Sequence, residues 1–312
     1  MTDAFLHHVN LASPLFILVF IGYAVARFSG WPHHVGEALN RFVFTLALPA
    51  LLFSLMSDLS KLPPVDSRLL GAFFGGCLIT FVIGRLVAWK LFGLDGTGQS
   101  IFALGGIFSN NVLLGIPLAK ATLGEAAIPS VALVLVFNSL TLWTLVTVSV
   151  EWSRHGSFSV HGFAKTVKSV LTNPIVAAIL SGTLFGLSGL PLPEIIAKPL
   201  TMTAQAAAPM ALIVLGLGLA EYGWRTDLKL SSAICAIKLV VQPLVVWGLA
   251  LLIGLPPLET RVVVLLASIA TGANVYLMSK QFKTLEGPVA ASLVMSTALA
   301  AITTPLALTL TG

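Results

Sequence analysis

The residues of this chain that could do chemistry are amides and hydroxyls set inside two apolar runs. The first run reads GGIFSNNVLLGIPLAK and holds Ser109, Asn110, Asn111, Gly115 and Pro117. The second reads ASIATGANVYLMSKQ and holds Ser268, Thr271, Gly272, Asn274 and Tyr276. Proline removes a helix hydrogen bond and collides with the preceding turn, and glycine weakens a helix further. Both runs are expected to break near their centres, with Pro117, Gly115 and Gly272 as the helix-breaking residues. A broken helix bares N–H groups at one new end and C=O groups at the other. The N–H end carries partial positive charge and favours a carboxylate. Two such breaks crossing would make an anion site without a fixed cation. Asn110, Asn111 and Asn274 would serve there as donors and acceptors, with Ser109, Asn138 and Tyr276 in the same cavity. Tyr276 either closes the pocket or only packs. The competing reading is that the asparagines merely satisfy the broken backbone, since an unpaired amide in hydrocarbon costs on the order of 2–7 kcal/mol.

Other chemistry finds little support. The sequence shows no Ser/His pairing, no intramembrane Asp pair and no metal-ligand cluster, so no enzyme activity and no cofactor are expected. The six histidines read as belonging to polar connections, and Cys77 and Cys235 as packing residues in apolar stretches. Every Asp and Glu falls at the end of an apolar run or between runs, which disfavours a buried carboxylate as proton relay. Ser268 and Thr271 are candidate sodium ligands. Lys238 lies within an apolar run. It either snorkels to the surface or faces inward, pairing with a helix C-terminus or a substrate.

The elements that position these groups are long apolar helices. Of 312 residues, 57% are hydrophobic and only 9% charged, against about 25% charged in soluble domains. Too few polar residues exist to cover a water-soluble fold. The net charge of +5 is spread over single Lys and Arg residues, which argues against nucleic acid as a partner. A bilayer needs roughly 20 apolar residues per helix. Ten such runs are present, near 11–28, 38–57, 69–90, 99–121, 127–150, 170–188, 199–220, 230–254, 261–280 and 288–310. The first reads as a retained span, not a signal peptide. With the N-terminus outside, twelve of the seventeen Lys and Arg lie on the inner side, or eleven without Lys238. The positive-inside rule then places both termini outside the cytoplasm, in an inner-membrane protein. Trp89, Trp143, Trp152, Trp224 and Trp247 read as interface anchors.

The first five runs resemble the last five at an offset near 160. Pro14 matches Pro174, Gly22 matches Gly182, and SGWP ending at Pro32 matches SGLP ending at Pro191. Pro49 matches Pro209, and Asn111-Val112 matches Asn274-Val275. Five is odd, so the second repeat enters the membrane from the opposite side. The division is 1–155 for the first repeat and 165–312 for the second. Inverted repeats are a common plan for secondary transporters, with the site near the midplane.

These residues also carry a family resemblance. LALPALLF around Pro49, SNNVLLGIPLA around Pro117, KLVVQP from Lys238 to Pro243 and TGANVYLMSKQF around Asn274 resemble the auxin efflux carrier family, in its bacterial branch of malonate-type carriers. The resemblance implies an all-α membrane fold like the sodium–bile acid symporters, with crossed spans four and nine. It implies a scaffold from 1–60 and 170–222, a transport core from 66–150 and 228–312, and a homodimer. It also implies that Asn110, Asn111 and Asn274 hold a carboxylate at the crossing. Span nine lacks the proline of the plant carriers, so its break rests on Gly272 and its polar neighbours. The expected function is secondary transport of a small, malonate-like carboxylate by an elevator movement. The alternatives are sodium-coupled symport through the Asn/Ser/Thr cluster and, more remotely, a channel.

Overall fold

A computed structural model describes residues 2–29, 31, 33–58, 65–155, 172–222 and 227–311. The mid-chain connection, with Lys165 and Lys168, lies outside the described residues, as do Lys61, Trp224 and Arg225. The described residues are helical and form no strand. Seven helical stretches are long and apolar enough to cross a membrane, from Thr2–Phe28 to Glu286–Thr311. Ile195, Leu252 and Phe28 are more than three-quarters exposed on the outer surface. Large apolar side chains facing outward in such number fit a lipid surround and not water.

The helices follow the apolar runs. They are α1 (Thr2–Phe28), α2 (His33–Phe42), α3 (Leu48–Met56), α4 (Arg68–Phe92), α5 (Gly96–Gly105), α6 (Ile116–Leu123) and α7 (Ile128–His155). Then come α8 (Pro174–Leu187), α9 (Glu194–Leu219), α10 (Leu228–Ala236), α11 (Gln242–Ile253), α12 (Pro257–Ser268), α13 (Asn274–Phe282) and α14 (Glu286–Thr311). Helix α1 begins well before the apolar run at residue 11, because nothing from Thr2 onward breaks it. His7 and His8 therefore stand in a helix and not in a connection, and His8 is buried. His34 likewise belongs to α2.

Three prolines act differently from the expected break. Val43–Ala47, Asn111–Gly115 and Ile237–Val241 are single π turns, and each runs directly into α3, α6 or α11 with proline as the second residue. The residue before each proline bonds five positions back: Leu48 to Val43, Ile116 to Asn111 and Gln242 to Ile237. Proline offers no N–H to the carbonyl four residues earlier, and its ring pushes that carbonyl away. A wider turn absorbs both defects while the helix continues. Pro117 therefore follows a π turn, whereas the helix is interrupted upstream, at residues 106–110.

Small residues set the closest helix contacts. A Cβ on Gly22 of α1 would stand 2.1 Å from the Ile213 carbonyl oxygen of α9, and one on Gly216 2.0 Å from that of Val19. Only glycine permits these two backbones to touch. Gly182 of α8 approaches the backbone of α3 at Phe53 in a similar way, at 2.9 Å. Gly76 of α4 lies against Val246 of α11.

Candidate functional site

The two polar runs meet. Helix α5 ends at Gly105 and helical structure resumes at Asn111; α12 ends at Ser268 and α13 begins at Asn274. Between these interruptions Ser109 and Thr271 form an antiparallel bridge. The Asn110 N–H donates to the Ala270 carbonyl at 2.9 Å, and the Gly272 N–H to that of Phe108 at 2.8 Å. Gly272 has a packing reason to lack a side chain: a Cβ there would sit 3.0 Å from the Ser109 carbonyl oxygen. Gly115 lies beyond the break, and its missing Cβ makes room for Leu266 and Ile269.

Each interruption creates two kinds of need, because helix ends leave their last carbonyls and first N–H groups without intrahelical partners. The carbonyl ends are met by protein donors. Lys238, fully buried on the π turn before α11, donates its Nζ to the Ala267 carbonyl near the end of α12. Gln242, also fully buried, donates Nε2 to the Ile107 carbonyl at 2.9 Å, just beyond α5. Thr271 Oγ1 donates to Gly105 at 3.1 Å, and Thr304 Oγ1 to Ser268 at 3.1 Å. Lys238 is thus an inward-facing residue and does not snorkel.

The residues at the N–H ends line a cavity, although several of these N–H groups are already paired, that of Asn111 with the Ser109 carbonyl at 2.9 Å and that of Val275 with the Gly272 carbonyl at 3.1 Å. The volume of the cavity is about 140 Å³. Ser109, Asn110 and Asn111 line it from one interruption, Gly272 and Asn274 from the other, and Asn138 from α7. Asn110 caps its helix by accepting the Leu113 N–H at 3.3 Å. No side chain caps α13. Asn111 donates Nδ2 to Asn138 Oδ1 at 3.3 Å, while Asn111 Oδ1 and Ser109 Oγ are buried without a partner. Which end of an amide is oxygen is set by its neighbours. Either way, one polar end of a 2%-exposed Asn111 is left open at the cavity wall.

Three of the candidates stand elsewhere. Tyr276 packs edge-on against Tyr222, with ring centres 4.8 Å apart, and the Lys280 ammonium lies 4.7 Å over its ring. It does not line the cavity. Burial, with Glu221 and Tyr276 nearby, pushes the Tyr222 phenol up to about 12, so Tyr222 stays neutral. Ser268 and Thr271 are buried and direct their hydroxyls to backbone carbonyls. Sequence reasoning missed Asn173 and Phe44, which also line the cavity. Asn173 before Pro174 is recognisable as a helix cap, and it does accept the Ile175 N–H at 2.9 Å. That it faces the crossing is a tertiary fact. A larger cavity, about 810 Å³, opens between α3, α8, α9 and the end of α6, and includes Asp58, Gln205 and the Lys120–Glu125 ion pair at 3.1 Å.

Residues 9–157 and 158–308 match the family model described as membrane transport protein, the family of the auxin efflux carriers. The chain belongs to this family. As a membrane transport protein it is a multi-pass membrane transporter and not an enzyme. It is 28% identical over 301 residues to a Rhizobium meliloti protein named "Putative malonate transporter", covering 94% of this chain and 92% of that one. It is 25% identical over 306 residues to an uncharacterized transporter of Methanothermobacter thermautotrophicus, covering 93% and 94%. A transporter of Methanocaldococcus jannaschii, also uncharacterized, is 25% identical over 271 residues, covering 81% and 82%.

Proposed function

We propose that this membrane transport protein is a secondary transporter of a small organic anion, with a malonate-like carboxylate bound at the crossing. The observation that carries this reading is the separation of the two kinds of helix end. The carbonyl ends are held by Lys238, Gln242, Thr271 and Thr304. The residues at the N–H ends and five asparagines line one cavity. Paired helix N-termini attract anions, and the Ser109 hydroxyl, which has no partner among the described residues, can donate to a carboxylate. The name of the Rhizobium relative points to the same substrate class.

We read the ten runs as two inverted five-helix repeats in the inner membrane, with both termini outside the cytoplasm. The repeat partners Gly22 and Gly182 support this, because each lets its helix touch the backbone of a helix from the other half. In this reading α1, α2, α3, α8 and α9 form a scaffold, and the remaining helices form a core that carries the crossing past it. The 810 Å³ cavity between the two groups is the vestibule on the extracytoplasmic side. Anion export is downhill across an inside-negative membrane by about 2.3 kcal/mol per charge per 100 mV.

Proteoliposomes containing the purified chain test the reading. Malonate flux is expected to saturate, and Asn111→Ala is expected to lower it about 10- to 100-fold while the protein stays folded. Absence of malonate or other small-carboxylate flux from the wild type would overturn it, and non-saturating flux would favour a channel.

A further inference from the structure

The cavity at the crossing has a second wall that the carboxylate reading leaves unused. Opposite the two interruptions, Asn173, Ile175 and Val176 line it. These residues form the N-terminus of α8, a 14-residue helix. Helix α8 packs against α3 and belongs to neither interrupted helix. Because Asn173 Oδ1 accepts the Ile175 N–H, its amide orientation is fixed, and Nδ2 remains as a donor that meets no described residue.

Three helix N-termini therefore converge on one small space: the helix beginning at Asn111, α13 and α8. Each contributes roughly half a positive charge. The two at the crossing balance about one negative charge, which is what a single carboxylate brings. The third is surplus for a monocarboxylate. The buried Ser109 hydroxyl on the facing wall, which has no partner among the described residues, independently marks the space as one that takes a hydrogen-bond acceptor. Its volume of about 140 Å³ corresponds to roughly ten waters at 10–15 Å³ each on the same measure. That suits a three- or four-carbon acid and excludes a bulky one.

Resting on the carboxylate reading, we infer that the α8 N-terminus is a second anion subsite. It receives the distal carboxylate of a short dicarboxylate whose proximal carboxylate sits between Asn110, Asn111 and Asn274. Asn173 is then the residue that distinguishes a diacid from a monoacid of equal length.

The test is titration of purified protein with malonate and with propionate, for the wild type and for Asn173→Asp. Aspartate caps a helix about as well as asparagine, so the variant keeps its fold while placing a negative charge where the distal carboxylate would lie. Expected is at least tenfold tighter binding of malonate than of propionate by the wild type. Asn173→Asp should weaken malonate at least tenfold more than it weakens propionate. Asn173→Ser, which retains a cap and loses the amide donor, should fall between, and it covers the case in which the aspartate variant fails to fold. Equal effects on both acids, no effect on either, or wild-type binding without preference for malonate would overturn the subsite and leave the crossing site standing. Wild-type binding of neither acid would overturn both readings together.

Discussion

Lys238 and Gln242 lie one turn apart at the joint between a π turn and α11, and they reach the carbonyl ends of two different interrupted helices. Lys238 holds Ala267, near the end of α12, and Gln242 holds Ile107, just past α5. One short stretch of chain thus satisfies both defects. The wide π turn contributes to this, since it shifts the relative directions of the side chains on either side of it.

Removing either side chain leaves a buried carbonyl unpaired, which costs about 1–3 kcal/mol. Lys238→Met is expected to lower the thermal midpoint in detergent by several degrees, and Gln242→Leu to do so less. Lys238→Arg should not restore wild-type stability, because a planar fork replaces a compact ammonium in a closed space. Unfolding curves for the three variants decide this. Wild-type stability of Lys238→Met would show the contact to be dispensable.

Substitution at the cavity separates binding from folding. A hydrogen bond to a charged group is worth about 1.5–3 kcal/mol. Asn111→Ala and Asn274→Ala should each reduce malonate transport about 10- to 100-fold with a thermal midpoint near that of the wild type. Initial rates in proteoliposomes, with matched protein incorporation, provide the check.

Sodium is expected to be unnecessary. The carbonyls at the helix ends are already engaged, one of them by an ammonium. Replacing sodium by choline at fixed pH should leave the malonate flux unchanged within twofold. A tenfold fall would restore sodium coupling.

Glycine contacts make a sharp control. Gly22→Ala and Gly216→Ala each place a Cβ within 2.1 Å of a backbone oxygen, so the helices must separate. Overpacking of this kind costs about 1–3 kcal/mol or more. Gly248→Ala meets nothing within 4 Å and should leave stability unchanged. Thermal unfolding of all three measures the contrast.

Much of this was legible in residue types. Apolar length located the helices, and the amides inside two apolar runs located both interruptions. Pro117 is a helix defect, as its residue type predicts, but it is not the break. Pro117 sits after a π turn, and the interruption upstream coincides with Gly106, Ser109 and the backbone pairing to Thr271, which no single run reveals. Lys238 was ambiguous because apolar neighbours surround a snorkelling lysine and a buried one alike. Asn173 announced a helix start, but only packing brings that start to the crossing. His7 and His8 looked like loop residues because polarity alone does not end a helix.

The short pairing between Ser109 and Thr271 joins parts of the chain more than 150 residues apart in sequence, and it does so with backbone atoms that no substitution short of proline removes. Neither strand of that knot can travel alone without exposing two peptide groups to oil. The crossing must therefore move as one piece or stay still, and if it holds the proposed anion, access from either face of the membrane depends on the helices around it.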